Sequence, residues 1–151
     1  MIRKASNSDL SRIAEILVYN NRLYYYPIFK DLQYSFQRLT VKSVMTDFIN
    51  NPILLENTFI FEDLIIKGFI SIKNNEISKL YVDPFFQSEG IGSILLEFSV
   101  NQFKCNKLWV LEKNSRARAF YEKHHFENTG SKKFEEGTSE HLILYQCKKD
   151  Y

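Results

Sequence analysis

Cysteine, glycine and proline are all scarce in this chain, with two, five and three copies among 151 residues. Cys105 and Cys147 cannot form a disulfide framework, so covalent staples are excluded as the basis of the fold. They share no ligand spacing with His124, His125 and His141, which argues against a metal site. Charge of one sign is also missing. The net charge is +2, and lysines and arginines are scattered, with no cluster longer than a pair. That argues against a nucleic-acid partner or a polybasic membrane surface. No apolar run is long enough to span a bilayer, and the opening MIRKASNSDL lacks the apolar core of a signal peptide. Repeats, low-complexity tracts and linkers are absent too. The expectation is one domain over residues 1–151, in the cytoplasm.

What is present is an ordinary globular composition, 44% apolar and 25% charged, in a chain long enough to bury a core. Residues 2–5 suit a short strand. Ser6 and Asp9 then fit a capping box, and Leu10, Ile13, Ile16 and Leu17 predict a helix to about Asn20. LYYYPIF reads as an aromatic turn broken by Pro27. A second helical region is expected over residues 31–49, re-initiated at Thr40 and ended by Asn50-Asn51-Pro52. The period then changes. Residues 54–62, 65–73 and 76–82 read as strands, with Asn74-Asn75 as a hairpin connection. Ile91, Ile94, Leu95 and Phe98 restore the helical stripe. Residues 107–111 form a strand, Ala117, Phe120, Tyr121 and His124 mark a helix, and residues 142–147 a last strand. This is a mixed α/β domain in which a meander feeds one parallel crossover.

Two of the five glycines, Gly90 and Gly92, fall together in QSEGIGSILLE, between a strand and a helix. Helix N-termini present unpaired amides that suit an anion, and glycine allows close approach and a left-handed backbone. Two readings are open: a pyrophosphate cradle, or a tight turn with no ligand. The dinucleotide fingerprint G-x-G-x-x-G fits poorly. Its third glycine is Leu95 here, and seven residues separate the strand from Gly90. A phosphate-binding Walker loop is excluded, because no Lys-Ser/Thr pair follows the glycines.

A longer match points elsewhere. LYVDPFFQSEGIGSILLE resembles the acetyl-CoA-binding segment of the GNAT superfamily of N-acetyltransferases, whose signature Q/R-x-x-G-x-G/A is met by Gln87, Gly90 and Gly92. NSRARAFYEKHHF is similar to that family's N-x-x-A-x-x-F-Y-E-K-x-G-F segment, in the right order and at the right separation. Two departures stand out. Ser88 and Glu89 replace frequent basic residues, and His125 replaces a helix-closing glycine.

The resemblance implies a central mixed, mostly antiparallel sheet of about six to seven strands, flanked by about four helices. It implies acetyl-CoA as co-substrate and no metal. Leu80, Tyr81 and Val82 would bind pantetheine along a splayed strand. Gln87, Ser88, Glu89, Gly90, Ile91, Gly92 and Ser93 would hold the pyrophosphate, and Asn114 would meet the pantetheine arm. Tyr121 would be the general acid at the sulfur, although its place on the apolar stripe also suits a core aromatic. Glu76, eleven positions before Gln87, matches the offset of a catalytic glutamate in the histone-acetylating branch; a solvated turn residue is the other reading. Tyr24, Tyr25 and Tyr26 would line the acceptor pocket, or simply form a half-buried turn. The implied activity is acetyl transfer to the primary amine of a small molecule or peptide, by a monomer or homodimer. The alternative is a non-catalytic acyl-CoA-binding module on the same fold.

Overall fold

Arg3 ties down the start of the chain. Its guanidinium donates to both Asp9 carboxylate oxygens, at 2.9 and 3.0 Å, and Asp9 also accepts the Ser6 amide at 2.8 Å. These bonds complete the expected capping box and, through Arg3, hold the Asp9 carboxyl below the usual range. In this computed structural model, which describes residues 1–148, strand β1 (Ile2–Lys4) therefore leads directly into helix α1 (Leu10–Asn20).

Beyond α1 the structure departs from the sequence reading. The chain does not turn at the tyrosines. It passes through a π-helical turn at Asn21–Tyr25 into the short helix α2 (Tyr26–Phe29). Pro27 lies in the first turn of α2, directly behind the π-helical turn. The helical region over residues 31–49 re-initiates at Thr40 as expected, but its first part is not a regular α-helix. A π-helical turn spans Tyr34–Arg38, and α3 (Val41–Ile49) starts afresh behind Thr40, whose hydroxyl caps the Ser43 amide at 3.0 Å. Residues 54–57 are not strand. Asn51 caps the Leu54 amide at 3.2 Å and Pro52 opens the short helix α4 (Pro52–Glu56), so β2 begins only at Thr58.

Strands β2 (Thr58–Asp63), β3 (Ile65–Lys73) and β4 (Glu76–Val82) form the expected meander. Helix α5 (Ile91–Phe103) crosses to β5 (Lys107–Leu111), and α6 (Ser115–Lys123) leads to β6 (Phe126–Phe134) and β7 (His141–Cys147). The extent of β6 was not apparent beforehand. It is an exposed edge strand, so only Phe126 of its nine residues is buried and no alternation marks it. The seven strands lie in the order β1-β2-β3-β4-β5-β7-β6. Only β4 and β5 run parallel. The result is the mixed, mostly antiparallel sheet anticipated, with α1, α3, α5 and α6 as its long helices.

Two apolar cores flank the sheet. Ile91, Leu95, Leu96 and Val100 of α5 pack with Ile70, Ile77, Leu108 and Tyr145. Leu10, Ile13, Ile16 and Phe48, from α1 and α3, pack with Ile60 and Phe69. Burying these side chains, each worth roughly 1.5–3 kcal/mol, fixes which way each strand residue faces. Among the described residues no helix is long and apolar enough to cross a membrane.

Candidate active site

The site begins with a defect in the ladder. Ser71 of β3 faces Lys79 and Ile72 faces Ile77, so Ser78 has no partner: β4 carries a bulge. The extra residue shifts the alternation by one. Ile77, Leu80 and Val82 all join the core under α5, while Tyr81 packs against the α1 and α3 core. The pairing of β4 with β5 stops at the same point. It has two rungs, Glu76 with Lys107 and Ile77 with Leu108, and beyond them β5 is paired only with β7. From Ser78 onward the two strands splay apart.

Gly68 sets how close β3 comes to this opened strand. A Cβ at Gly68 would lie 2.9 Å from the Tyr81 carbonyl oxygen, closer than real contacts allow. Only glycine keeps β4 in place there.

Two cavities adjoin at the splay and share Tyr25, Leu80, Tyr81, Asn114, Ala117 and Tyr121. The first, about 520 Å³, lies against the glycine turn and α6. Its turn is held from below. Asn20 and Gln87 side-chain amides both donate to the Val82 carbonyl, at 2.9 and 3.2 Å, and the Tyr24 hydroxyl donates to Gln87 Oε1 at 2.8 Å. Gln87 is thus occupied in fastening the turn to the end of β4. Asp83, ion-paired with Arg12, caps the Phe85 amide at 2.8 Å.

The turn itself uses the left-handed backbone twice, at Ser88 (φ 66°) and Gly90 (φ 83°). A Cβ at Gly90 would meet nothing within 4 Å, so conformation is what this position demands. Gly92 differs. A Cβ there would lie 3.4 Å from the Phe120 ring, at ordinary van der Waals contact, so neither space nor backbone conformation demands glycine. The amides of Ile91, Gly92 and Ser93 open α5 into the cavity. The Ser93 hydroxyl and His124 Nε2 are 2.8 Å apart, and burial holds that imidazole below its usual range. His125 takes the left-handed conformation (φ 71°) that a glycine would accept without strain.

Asn114 caps α6, accepting the Ala117 amide at 3.1 Å, and borders both cavities. Tyr121 packs edge-on against Phe120 and Phe126. Burial pushes its hydroxyl well above the usual phenol range, so it stays protonated at neutral pH. Tyr25 and Tyr81 meet edge-on with ring centroids 6.1 Å apart, and burial raises both phenols as well.

The second cavity, about 700 Å³, runs from the splay past α3 to the β6–β7 turn. Burial lowers the Lys79 ammonium in it, against the opposing pull of Asp47 and Glu135.

Most of the residues expected from sequence therefore come together, and three do not. Glu76 lies at the hairpin end of β4, beside Lys73 and Lys107, and lines neither cavity. It stands about 16 Å along the strand from Tyr81, at roughly 3.3 Å per residue. Glu89 and Tyr26 border neither cavity; Tyr26 packs on Phe36 with centroids 5.2 Å apart. Arg116 and Lys123 were missed, although both line the first cavity. They occupy the i and i+7 positions of a stripe through Phe120 on α6, a spacing that reading both faces of that helix would have exposed. Arg116 also lies over the Tyr24 ring, 4.9 Å from its centre. These two cations share the first cavity with Ser88, one of the two positions that lack a basic residue.

The architecture has relatives. The family model described as the acetyltransferase (GNAT) domain matches residues 35–142, and the chain belongs to that family. Its fold is shared with YjaB of Escherichia coli, solved in the apo form, at a TM-score of 0.80 and 17% identity, over 99% of this chain and 98% of that one. The PaiA N-acetyltransferase of Thermoplasma acidophilum, in complex with coenzyme A, aligns at 0.69 and 22% identity, over 97% and 98% of the two chains. YncA of Salmonella typhimurium, a putative acetyltransferase solved with acetyl-CoA, aligns at 0.69 and 17% identity, over 100% and 95%.

Proposed function

We propose that residues 1–151 act as one cytoplasmic N-acetyltransferase domain, moving an acetyl group from acetyl-CoA to a primary amine without metal, nucleic acid or membrane. The observation that carries this reading is the splay of β4 from β5, where two cavities meet at Tyr121. The PaiA and YncA structures, with coenzyme A and acetyl-CoA bound, support the choice of cofactor.

The first cavity fits such a ligand. Its lining has no carboxylate, two cations at Arg116 and Lys123, and the open N-terminus of a thirteen-residue helix. Partial positive charge there suits a pyrophosphate. Ile91, Gly92 and Ser93 would hold it through their amides, with Gly90 supplying the turn. Leu80, Tyr81 and Val82 have no partner strand on the β5 side; the Val82 carbonyl is taken up by Asn20 and Gln87, and the rest of that edge would pair with the amides of a pantetheine arm. Asn114 would use its side-chain NH₂, since its oxygen already caps α6.

When bound, acetyl-CoA supplies the acetyl group as an activated thioester. Tyr121 would hold, on its hydroxyl oxygen, the proton that a departing thiolate needs. Tyr24 and Tyr25 would wall the passage between the cavities and exclude water from it. Glu76 borders neither cavity, so the acceptor would enter as the neutral amine or lose its proton to water.

Tyr121→Phe tests the reading. The ring still packs, so stability and acetyl-CoA affinity should stay nearly intact while kcat falls more than tenfold. The loss should shrink with an acyl donor whose thiol is more acidic. A variant that releases coenzyme A at the wild-type rate would remove Tyr121 from the chemistry. A wild-type protein that binds acetyl-CoA and releases no thiol with any amine would instead be the non-catalytic module.

A further inference from the structure

Ser93 is the third residue of α5, the last whose amide is left open at that N-terminus, and it lines the first cavity. Its hydroxyl has a particular partner. Ser99, further along the same helix, directs its hydroxyl to the Leu96 carbonyl at 2.7 Å, a bond back to the preceding turn. The Ser93 hydroxyl makes no such bond among the described residues and meets His124 Nε2 instead, at 2.8 Å. His124 closes α6, and its half-buried ring rests on Phe120 with centroids 4.8 Å apart.

A hydrogen bond between a hydroxyl and an imidazole can run either way, and its direction decides what the cavity meets. With a bare Nε2, Ser93 donates to the ring and turns oxygen lone pairs towards the cavity. With an Nε2–H, the ring donates to the Ser93 oxygen, and the serine O–H is released to point at a ligand. An anion needs the second arrangement. Protonation of the imidazole guarantees it, because both ring nitrogens then carry hydrogen, and it adds a positive charge beside the site.

The lining of the first cavity has no histidine, cysteine or carboxylate of its own. His124 touches two of its lining residues, Ser93 and Phe120, and belongs to the one residue type that ordinarily changes charge between about pH 5 and 8. Burial is the main influence lowering the ring in the free protein. Glu97, facing it from α5, pulls the other way, and the neighbouring Lys123 and His125 add to the lowering. On β6, which also packs against α6, Glu127 is ion-paired with Lys148.

Resting on the cofactor assignment above, we infer that His124 is a positioning residue for acetyl-CoA. It takes up a proton from solvent as the cofactor binds, donates Nε2–H to Ser93, and so turns the serine hydroxyl onto the pyrophosphate. By reciprocity, the cofactor raises the proton affinity of the ring by the factor that protonation raises cofactor affinity. Binding is therefore tightest below the pH at which the free ring titrates, and it weakens as the pH rises through the ring's titration in the complex.

Dephospho-coenzyme A is the probe, because it keeps the pyrophosphate and lacks the 3′-phosphate, which itself titrates near neutral pH. Calorimetric titration in two non-phosphate buffers of unlike protonation enthalpy should show net proton uptake on binding. Affinity should fall at least threefold from about pH 5.5 to about pH 8. His124→Gln keeps an N–H donor for Ser93 and cannot titrate, so its affinity should stay within twofold over that range, with no proton uptake. Ser93→Ala should lose affinity at the acid end and little at the alkaline end. The uptake measurement needs no variant, so it decides the matter even if a substitution unfolds the protein. Wild-type protein that binds dephospho-coenzyme A with a flat profile and no proton uptake overturns the inference and leaves the cofactor assignment standing. A His124→Gln variant that keeps the wild-type profile overturns it too, since the proton then goes elsewhere. Protein that binds neither dephospho-coenzyme A nor acetyl-CoA overturns the cofactor assignment and the inference with it.

Discussion

The two cavities at the splay share six wall residues, yet their charge is opposite. The first has two cations and no carboxylate; the second has four carboxylates against two cations. Strand β4 serves both. The bulge at Ser78 sends Leu80 and Val82 to one core and Tyr81 to the other, so one strand edge can contact two ligands of unlike charge. The difference suggests why cofactor and acceptor would not exchange places. Each would meet charge of its own sign in the other's cavity.

The strongest way to break this contrast is to reverse the first cavity. Arg116→Glu combined with Lys123→Glu puts two carboxylates where there were none. Acetyl-CoA affinity should fall on the order of 100-fold, about 2.7 kcal/mol, in a calorimetric titration at low salt. Added salt should narrow the gap between variant and wild type, because both positions are exposed. An unchanged affinity would mean that the helix N-terminus does the binding alone.

Gly68→Ala attacks the partition between the cavities, not the charge. Its Cβ would press on the Tyr81 carbonyl, so β4 must shift or the sheet must strain. Overpacking of this kind costs about 1–3 kcal/mol, which a denaturant titration resolves. Wild-type stability would show that the strand relaxes freely, and the fixed geometry at the splay would lose its support. Glu76→Gln should have the smallest effect, less than twofold on kcat/KM with an unaltered pH profile, since Glu76 borders neither cavity. A large loss would bring the hairpin end of β4 back into the chemistry.

The same contrast explains what could be read in advance. The first cavity comes mostly from two stretches, residues 80–93 and 114–123, with Asn20, Tyr24 and Tyr25 completing it, and local sequence carries both the unpaired amides and the Asn114 cap. The second is assembled from segments as far apart as Asp31 and Glu136, and nothing local announces that they meet. Glu76 shows the limit of spacing. An offset of eleven residues before Gln87 says nothing of which end of a strand a side chain occupies, and the hairpin at Asn74-Asn75 places it far from the splay. The bulge was illegible for a related reason. Ser78 and Lys79 are two successive polar residues between Ile77 and Leu80, a break in alternation that does not say which residue is unpaired until the partner strand is known. The stop at Asn50-Asn51-Pro52 is where α3 ends, but the short helices that open at Tyr26 and Pro52 were missed, because proline ends a helix when it is interior and begins one in the first turn, and the sequence alone allows both.

Trp109 is the only tryptophan in the chain, and it lines the acidic cavity but not the other. The Lys133 ammonium lies 4.2 Å from its ring centre, so the indole already senses a fixed charge. The protein thus carries its own optical label in one compartment. A charged ligand settling among Asp47 and Glu135 changes the field at that ring and therefore its emission. A nucleotide settling against Gly90 and Arg116 does not border it. Occupancy of the acidic cavity can then be followed apart from that of the other, with no dye attached and no residue replaced.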